Sequence, residues 1–427
     1  MRRPRRRLPL VVLLTAAFLF RIGNSAAALA LPWLALTHTG DAVWAGVAAA
    51  SGVAATVVGS WFGGGLIDRW GPAPVALVAG AVGGAATAMI PLLESGGRLD
   101  VPVLVLLVML GAAFDAPGVA AQDSRLPELG RLAGLSLARV ATAKAFMGHT
   151  ALLGGPLLAG ACIGLLGASR TLFLTAVGSV LAGLLAAAVL ARGERSKRRR
   201  QLGKRRRGEV FAPRERPDRG EGHLSGGSAG LLHLVREPLL GRLVAIVTIA
   251  AAALSGAIAL VLPALFLEAG RPASEFGLFV SAQGVGGLVG LAAHATFTAK
   301  LKPRFGLAGA YLTCAAVLLL LTFVPRASWL VALGLCTGVM TAPVSPLLNA
   351  AIYGRTPIAL RGRVLGAISA FVMAASSVVI FLMGLGIERW GAVAMLGAAG
   401  VVTLAAALLS LRLRFEPAPR VHLVERN

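Results

Sequence analysis

The chain has 427 residues, 57% of them hydrophobic and only 14% charged. Soluble domains carry about one quarter charged residues, so an aqueous fold is excluded for most of its length. The formal net charge of +23 would suit a nucleic-acid binder, but no interleaving of aromatic and basic residues accompanies it, and no nucleic-acid partner is expected.

In chain order, residues 1–10 form a basic N-terminal segment. The apolar residues then fall into twelve blocks of about 20 residues, each long enough to cross roughly 30 Å of hydrocarbon as an α-helix. The predicted spans are 11–37, 42–67, 73–93, 101–121, 143–166 and 171–191, then 241–267, 274–298, 306–324, 328–352, 364–386 and 392–412. Arg2 to Arg7, the apolar run Leu8 to Phe20 and the small residues Ser25 to Ala30 imitate a secretory signal. Apolar character continues to Ala35, and cleavage would leave eleven spans with basic loops on the wrong side, so an uncleaved first span is expected. Five of the 41 Lys and Arg (Arg98, Arg170, Arg271, Arg326 and Arg389) fall in loops opposite the N-terminus, and Arg21 lies within a span. The remaining 35 share the side of the N-terminus, a positive-inside bias that predicts a multi-pass protein of the inner, or plasma, membrane with both termini cytoplasmic.

Residues 192–230, between the sixth and seventh spans, carry basic clusters at Lys197 to Arg200 and Lys204 to Arg207, followed by Pro, Gly and Ser. They read as a disordered cytoplasmic linker able to touch anionic lipid. Leu231 to Leu243 reads as a short interfacial helix, and 413–427 as a cytoplasmic tail. The linker separates a six-helix half at 11–191 from another at 231–412. The halves echo one another: Ser25 to Pro32 with Gly40 matches Ser255 to Pro263 with Gly270, and the Gly-rich runs Gly59 to Gly65 and Gly284 to Gly290 follow. Two repeated halves imply a substrate site near the midplane between them. Cys162, Cys314 and Cys336 lie in spans without paired spacing and read as packing residues. No metal site or cofactor is expected, and the chain lacks the G-x-x-x-x-G-K-[ST] loop, so ATP is not its fuel.

The segment after the second span reads Gly64-Gly65-Leu66-Ile67-Asp68-Arg69-Trp70-Gly71-Pro72. It resembles the G-x-x-x-D-R-x-G-R-R signature of the major facilitator superfamily, with Gly64, Asp68, Arg69 and Gly71 in register and Pro72 and Ala73 replacing the closing basic pair. An aspartate here can sit at a helix N-terminus, where the dipole favours it. In that family the loop latches the halves in the outward-facing state. Span five carries Gly154-Gly155-Pro156-Leu157-Leu158-Ala159-Gly160, which resembles the G-P-x-x-G-G element of the exporter branches. Gly155, Pro156 and Gly160 match it, and proline among small residues allows a bend between packed helices. Arg21-Ile22-Gly23-Asn24, Phe114 to Pro117 and Arg361 to Gly366 extend the likeness to the twelve-helix drug:proton antiporter branch.

That resemblance implies an all-α membrane fold of two six-helix pseudo-repeats and no enzymatic activity. It implies a secondary active transporter that exports a small, moderately apolar molecule by alternating access in exchange for protons. An importer of a sugar, amino acid or siderophore, or a transport-inactive receptor or assembly factor, remain the rival readings. Partners are then the substrate, protons and the bilayer, with the chain a monomer. Two intramembrane charges, Arg21 and Asp115, are expected to pair, because an unpartnered charge in hydrocarbon costs at least about 2.5 kcal/mol. Asp115 is the candidate proton carrier, since the proton affinity of a buried carboxylate responds to its surroundings; His149 and His294 are weaker candidates. Thr337, Thr341, Ser345 and Asn349 recur every four residues along one face of span ten. With Asn24 they are the candidate cavity residues, the resemblance implying that spans one, four, seven and ten line a central cavity.

Overall fold

The computed structural model describes residues 7–206, 234, 236–293, 303–323, 327–357 and 360–413, the side chains at 137–138, 141–142, 145, 149, 152, 193–206 and 327 excepted. The first six residues, residues 207–230 of the middle segment, His294, the tail from 414 and the His149 side chain lie outside that description.

The twelve spans are present, and all but the sixth are displaced from their expected bounds by only a few residues. Spans one to four are Leu8–Thr39, Ala42–Trp70, Pro72–Ser95 and Val101–Asp123. A short helix, Leu126–Leu132, precedes span five, Leu137–Leu166, and span six begins at Ala168. Spans seven to nine are Pro238–Glu268, Ala273–Ala293 and Pro303–Leu321. Span ten is Ala327–Thr341 continued by Val344–Arg355. Spans eleven and twelve share one continuous segment, Arg361–Leu411, divided where Gly391 takes φ 83 and ψ 162. Gly71 and Gly167 adopt the same backbone (φ 85, ψ 162 and φ 88, ψ 159). That region is open essentially to glycine alone, so one residue turns the chain from each helix into the next.

One expectation is corrected. The sixth helix does not end at 191 but runs to Arg206, so the first part of the supposed disordered linker is helical. Arg, Lys and Gln are good helix formers, and no Pro interrupts them there. Of the interfacial helix expected at Leu231 to Leu243, residues 231–233 and 235 lie outside the described residues; Leu234 and Arg236 are helical, and a bend at Glu237 separates them from span seven. Pro238 starts span seven itself, its ring tolerated in the first turn where no backbone donor is needed, and Leu234 is buried just ahead of it beside Leu240 and Val244.

The internal repeat is visible in the packing. Gly59 and Gly63 of span two press on Ala113 and Pro117 of span four, and Gly286 and Gly290 of span eight press on Leu335 and Val339 of span ten. In each half the second span thus meets the fourth through two glycines one turn apart, which lets the backbones approach. The halves differ by one inserted residue. Ser25 to Pro32 is α-helical, whereas in the equivalent stretch Ala257–Val261 forms a π-helical turn. A single insertion in a helix is absorbed in this way without ending it.

One buried apolar cluster joins both halves, and all its members lie at the span ends remote from the termini. They include Leu29 to Leu36, Ile90, Leu104 and Ile163 from the first half and Leu260 to Phe266, Phe276, Leu321 and Ile387 from the second. At the face where span one begins and span twelve ends, the cores are separate: one in the first half, two in the second. The molecule is therefore sealed at the far face and parted at the terminal face. Spans two with eleven and five with eight form the seams between halves. Gly46 meets Gly384 at one seam and Gly160 meets Gly277 at the other, and the Ser377 hydroxyl donates to the Ala50 carbonyl at 2.7 Å.

Candidate functional site

A cavity of about 270 Å³ lies inside the first half, among spans one, two, three, four and six, with Ala259, Met373 and Ile380 of the second half closing one wall. Its size falls just below the usual range of small-molecule pockets. On span one Asn24, Ala28, Leu31 and Ala35 face it, a stripe at the three- and four-residue spacing of one helix face. Span two presents Ala45, Ala48, Ala49, Gly52, Val53 and Thr56, whose small side chains leave the space empty.

The polar groups are few. Thr56 donates to the Gly52 carbonyl at 3.1 Å and Thr87 to the Gly83 carbonyl at 2.9 Å, so both hydroxyl protons are already used within their own helices. Among the described lining residues Asp115 is the one charged group, and the Asn24 side chain is its hydrogen-bond partner. Asn24 and Asp115 stand at the end of the cavity nearer the terminal face; beyond them towards the far face the lining is Leu31, Pro32, Ile90, Leu104 and Leu107.

The expected pairing of Arg21 with Asp115 does not occur. No ion pair joins Arg21 to any described acid; a methyl group at Gly148 of span five would lie 3.8 Å from its Nη1. The reason is axial level: Asp115 arrives level with Asn24, one helical turn beyond Arg21, and the half-buried guanidinium turns instead towards span five. A carboxamide satisfies the carboxylate without the cost of desolvating two charges.

The segment resembling the family signature is not a loop of several residues. Span two continues to Trp70 and Pro72 starts span three, so Asp68 and Arg69 occupy the last turn of a helix, both exposed. Asp68 is therefore at a C-terminus, not at an N-terminus, and faces an unfavourable dipole there. Gly71 makes the turn, while a side chain at Gly64 would meet nothing within 4 Å; the close approaches belong to Gly59 and Gly63.

In span five the helix continues through Pro156. Gly155 fits against Ser25 of span one, and Gly160 against Ala273, Ser274 and Gly277 of span eight, so these residues pack span five on both sides. Span ten is interrupted at 342–343, next to Pro343 and Pro346. Thr337 and Thr341 donate to the carbonyls of Leu333 and Thr337, each at 2.8 Å. Thr337, Thr341, Ser345 and Asn349 are not among the residues lining the cavity. Of the candidate cavity residues only Asn24 lines it. The small-residue stripe of span two went unread in the sequence, although its spacing carried the signal.

Residues 244–426 match the family model described as Major Facilitator Superfamily. The chain is 28% identical over 380 residues to the multidrug efflux pump Tap of Mycolicibacterium fortuitum, an alignment covering 88% of each protein. It is 29% identical over 380 residues to Tap of Mycobacterium tuberculosis (strain ATCC 25618 / H37Rv), covering 88% of this chain and 86% of that one. Among solved structures it is similar to a mutant form of the nucleoside transporter NupG, with a TM-score of 0.74 at 12% identity over 95% of this chain and 100% of that one. A POT family transporter in complex with 5-aminolevulinic acid gives a TM-score of 0.67 at 11% identity, over 95% and 96% of the chains. Twelve spans in two repeated halves, parted at one face around an apolar cavity, agree with these likenesses: the chain is similar to major facilitator superfamily transporters, and its residues 244–426 match that family's model.

Proposed function

We propose that the protein exports a small, moderately apolar, drug-like molecule from the cytoplasm in exchange for protons, the two halves rocking about the seams between spans two and eleven and spans five and eight. The observation that carries this reading is the cavity: an apolar chamber holding one carboxylate, Asp115, on a carboxamide. A single carboxylate can hold a proton or a polar group of the substrate, not both. Occupancy by one therefore expels the other, which is the requirement for exchange. The name of the relatives, multidrug efflux pump, supports export rather than uptake.

The terminal face is then cytoplasmic, by the excess of basic residues on that side, and the parted arrangement is the inward-facing one. The protein acts as a monomer in the inner membrane, with the basic stretch of 192–230 against anionic lipid. Asp68 and Arg69, exposed while the halves are apart, engage the second half when the terminal face closes.

Everted vesicles test the reading. With the vesicle interior made acid, a lipophilic dye or antibiotic that is a substrate accumulates inside, and an uncoupler releases it. One-for-one exchange sustains roughly a tenfold concentration ratio per pH unit. Accumulation that ignores both gradient and uncoupler would overturn proton exchange, and accumulation driven in right-side-out vesicles would favour uptake.

A further inference from the structure

Resting on the reading of this cavity as the substrate site, we infer that the substrate is held by a cationic head with several N–H donors, a protonated primary or secondary amine or an amidine, and that donor-free quaternary cations are poor ligands. The ground for this is a surplus of hydrogen-bond acceptors gathered near Asp115.

Two of them are backbone carbonyls. Ala28 and Thr87 lie inside helices, yet four residues after them stand Pro32 and Pro91, which have no N–H to return to those carbonyls. Ala28 and Thr87 both line the cavity, and so does Pro32, so the Ala28 carbonyl lies on the cavity face of span one between two lining residues. Two more acceptors are hydroxyl oxygens. Thr56 shares its proton between the carbonyls of Gly52 at 3.1 Å and Ala112 at 3.4 Å, and Thr87 gives its own to Gly83 at 2.9 Å. Each oxygen is left with only lone pairs to offer.

Span four sets their placement. Ala112, beside Thr56, and Gly111, where a Cβ would lie 4.0 Å from the Thr87 hydroxyl oxygen, precede Asp115 by about one helical turn, roughly 4.5–6 Å. Ala28 follows Asn24, the partner of Asp115, by one turn. Against these acceptors the lining sets the side-chain donors Ser179 and Asn24, and Asn24 already donates to Asp115, since a carboxylate only accepts. An ammonium seated on Asp115 therefore has oxygens for its further N–H groups, whereas N-methyl groups would cover those oxygens and leave them unpaired. A hydrogen bond from a charged donor is worth at least about tenfold in affinity, and a buried methyl returns only about fourfold. A site that is merely apolar around one charge has the second effect alone, and its affinities would rise with methylation.

Four probes with one apolar body separate the two cases: 1-naphthylmethylamine and its N-methyl, N,N-dimethyl and N,N,N-trimethyl forms, all cationic at neutral pH. Their binding to the purified full-length protein is measured by equilibrium dialysis. Affinity should fall with each methyl, by about thirtyfold across the series. Affinity that stays level or rises with methylation, or no binding of the primary amine, overturns the inference. Thr87→Val removes one hydroxyl oxygen and Pro32→Ala returns a donor to the Ala28 carbonyl, so each should narrow the gap between the primary amine and the quaternary salt by about tenfold. A gap unchanged in both variants overturns these acceptors as its cause. Ala28→Trp, which fills the chamber, tests the underlying reading separately: loss of all four probes supports the cavity as the site, and unchanged binding overturns the cavity itself whatever the order of the series.

Discussion

Asp115 and Asn24 form a side-chain-to-side-chain polar contact within the cavity lining, and substitutions there separate folding from transport. Asp115→Asn preserves a hydrogen-bonding amide opposite Asn24 but removes the only described lining group able to take up a proton. It should insert and accumulate like the parent, and still exchange substrate at equal concentrations on both sides. Export driven by a proton gradient should fall to background. Vesicle counterflow and gradient-driven uptake, measured side by side, check this; driven uptake at the parent rate would exclude Asp115 as the carrier. The sequence made both residues visible, because an acid and an amide in otherwise apolar spans stand out, but it misassigned the partner. Pairing across helices depends on how far each helix is slid along its axis, and a periodic apolar pattern does not encode that offset. Arg21 was the obvious opposite charge, and it sits one turn too low.

At the scale of the helices, glycines decide where spans touch. The family-like residue Gly64 faces open space, whereas a Cβ at Gly59 would overlap the Ala113 carbonyl of span four. Gly59→Ala should therefore destabilise by about 1–3 kcal/mol, the usual cost of overpacking, and lower the melting temperature of the purified protein. Gly64→Ala should leave it level or raise it, alanine being the better helix former by about 1 kcal/mol. Asp68 yields a prediction of opposite sign for stability and for transport. Its charge sits in the last turn of span two, where the dipole disfavours it by about 0.3–1 kcal/mol, so Asp68→Asn should melt no lower than the parent. The same change should slow export, if the carboxylate acts when the terminal face closes. Equal export rates would show that this turn plays no part in the cycle. The twelve spans themselves were legible to within a few residues from block length alone. The extension of helix six to Arg206 was not, because charge suggests solvent without specifying whether the backbone stays helical.

The whole molecule is organised by where its buried apolar residues join the halves. One cluster bridges them at the far face, and the cores at the terminal face stay separate, so this arrangement closes the cavity off from the far face. The repeat that builds these halves was readable in the sequence, including the one-residue difference between Ser25 to Pro32 and Ser255 to Pro263. Its form, a π-helical turn at Ala257–Val261 with Ala259 in the cavity wall, emerges only in three dimensions, as does the placement of the cavity within the first half. Alternating access is the central claim, and Ala28, a small residue of the cavity wall, reports on it. A single cysteine at Ala28, in a chain with Cys162, Cys314 and Cys336 replaced by serine, is exposed to a membrane-impermeant thiol reagent from either side of sealed vesicles. Resting protein should react from the terminal face alone, with far-face reaction appearing once substrate and a proton gradient drive turnover; equal reaction from both faces at rest, or none from the far face during turnover, would contradict the account.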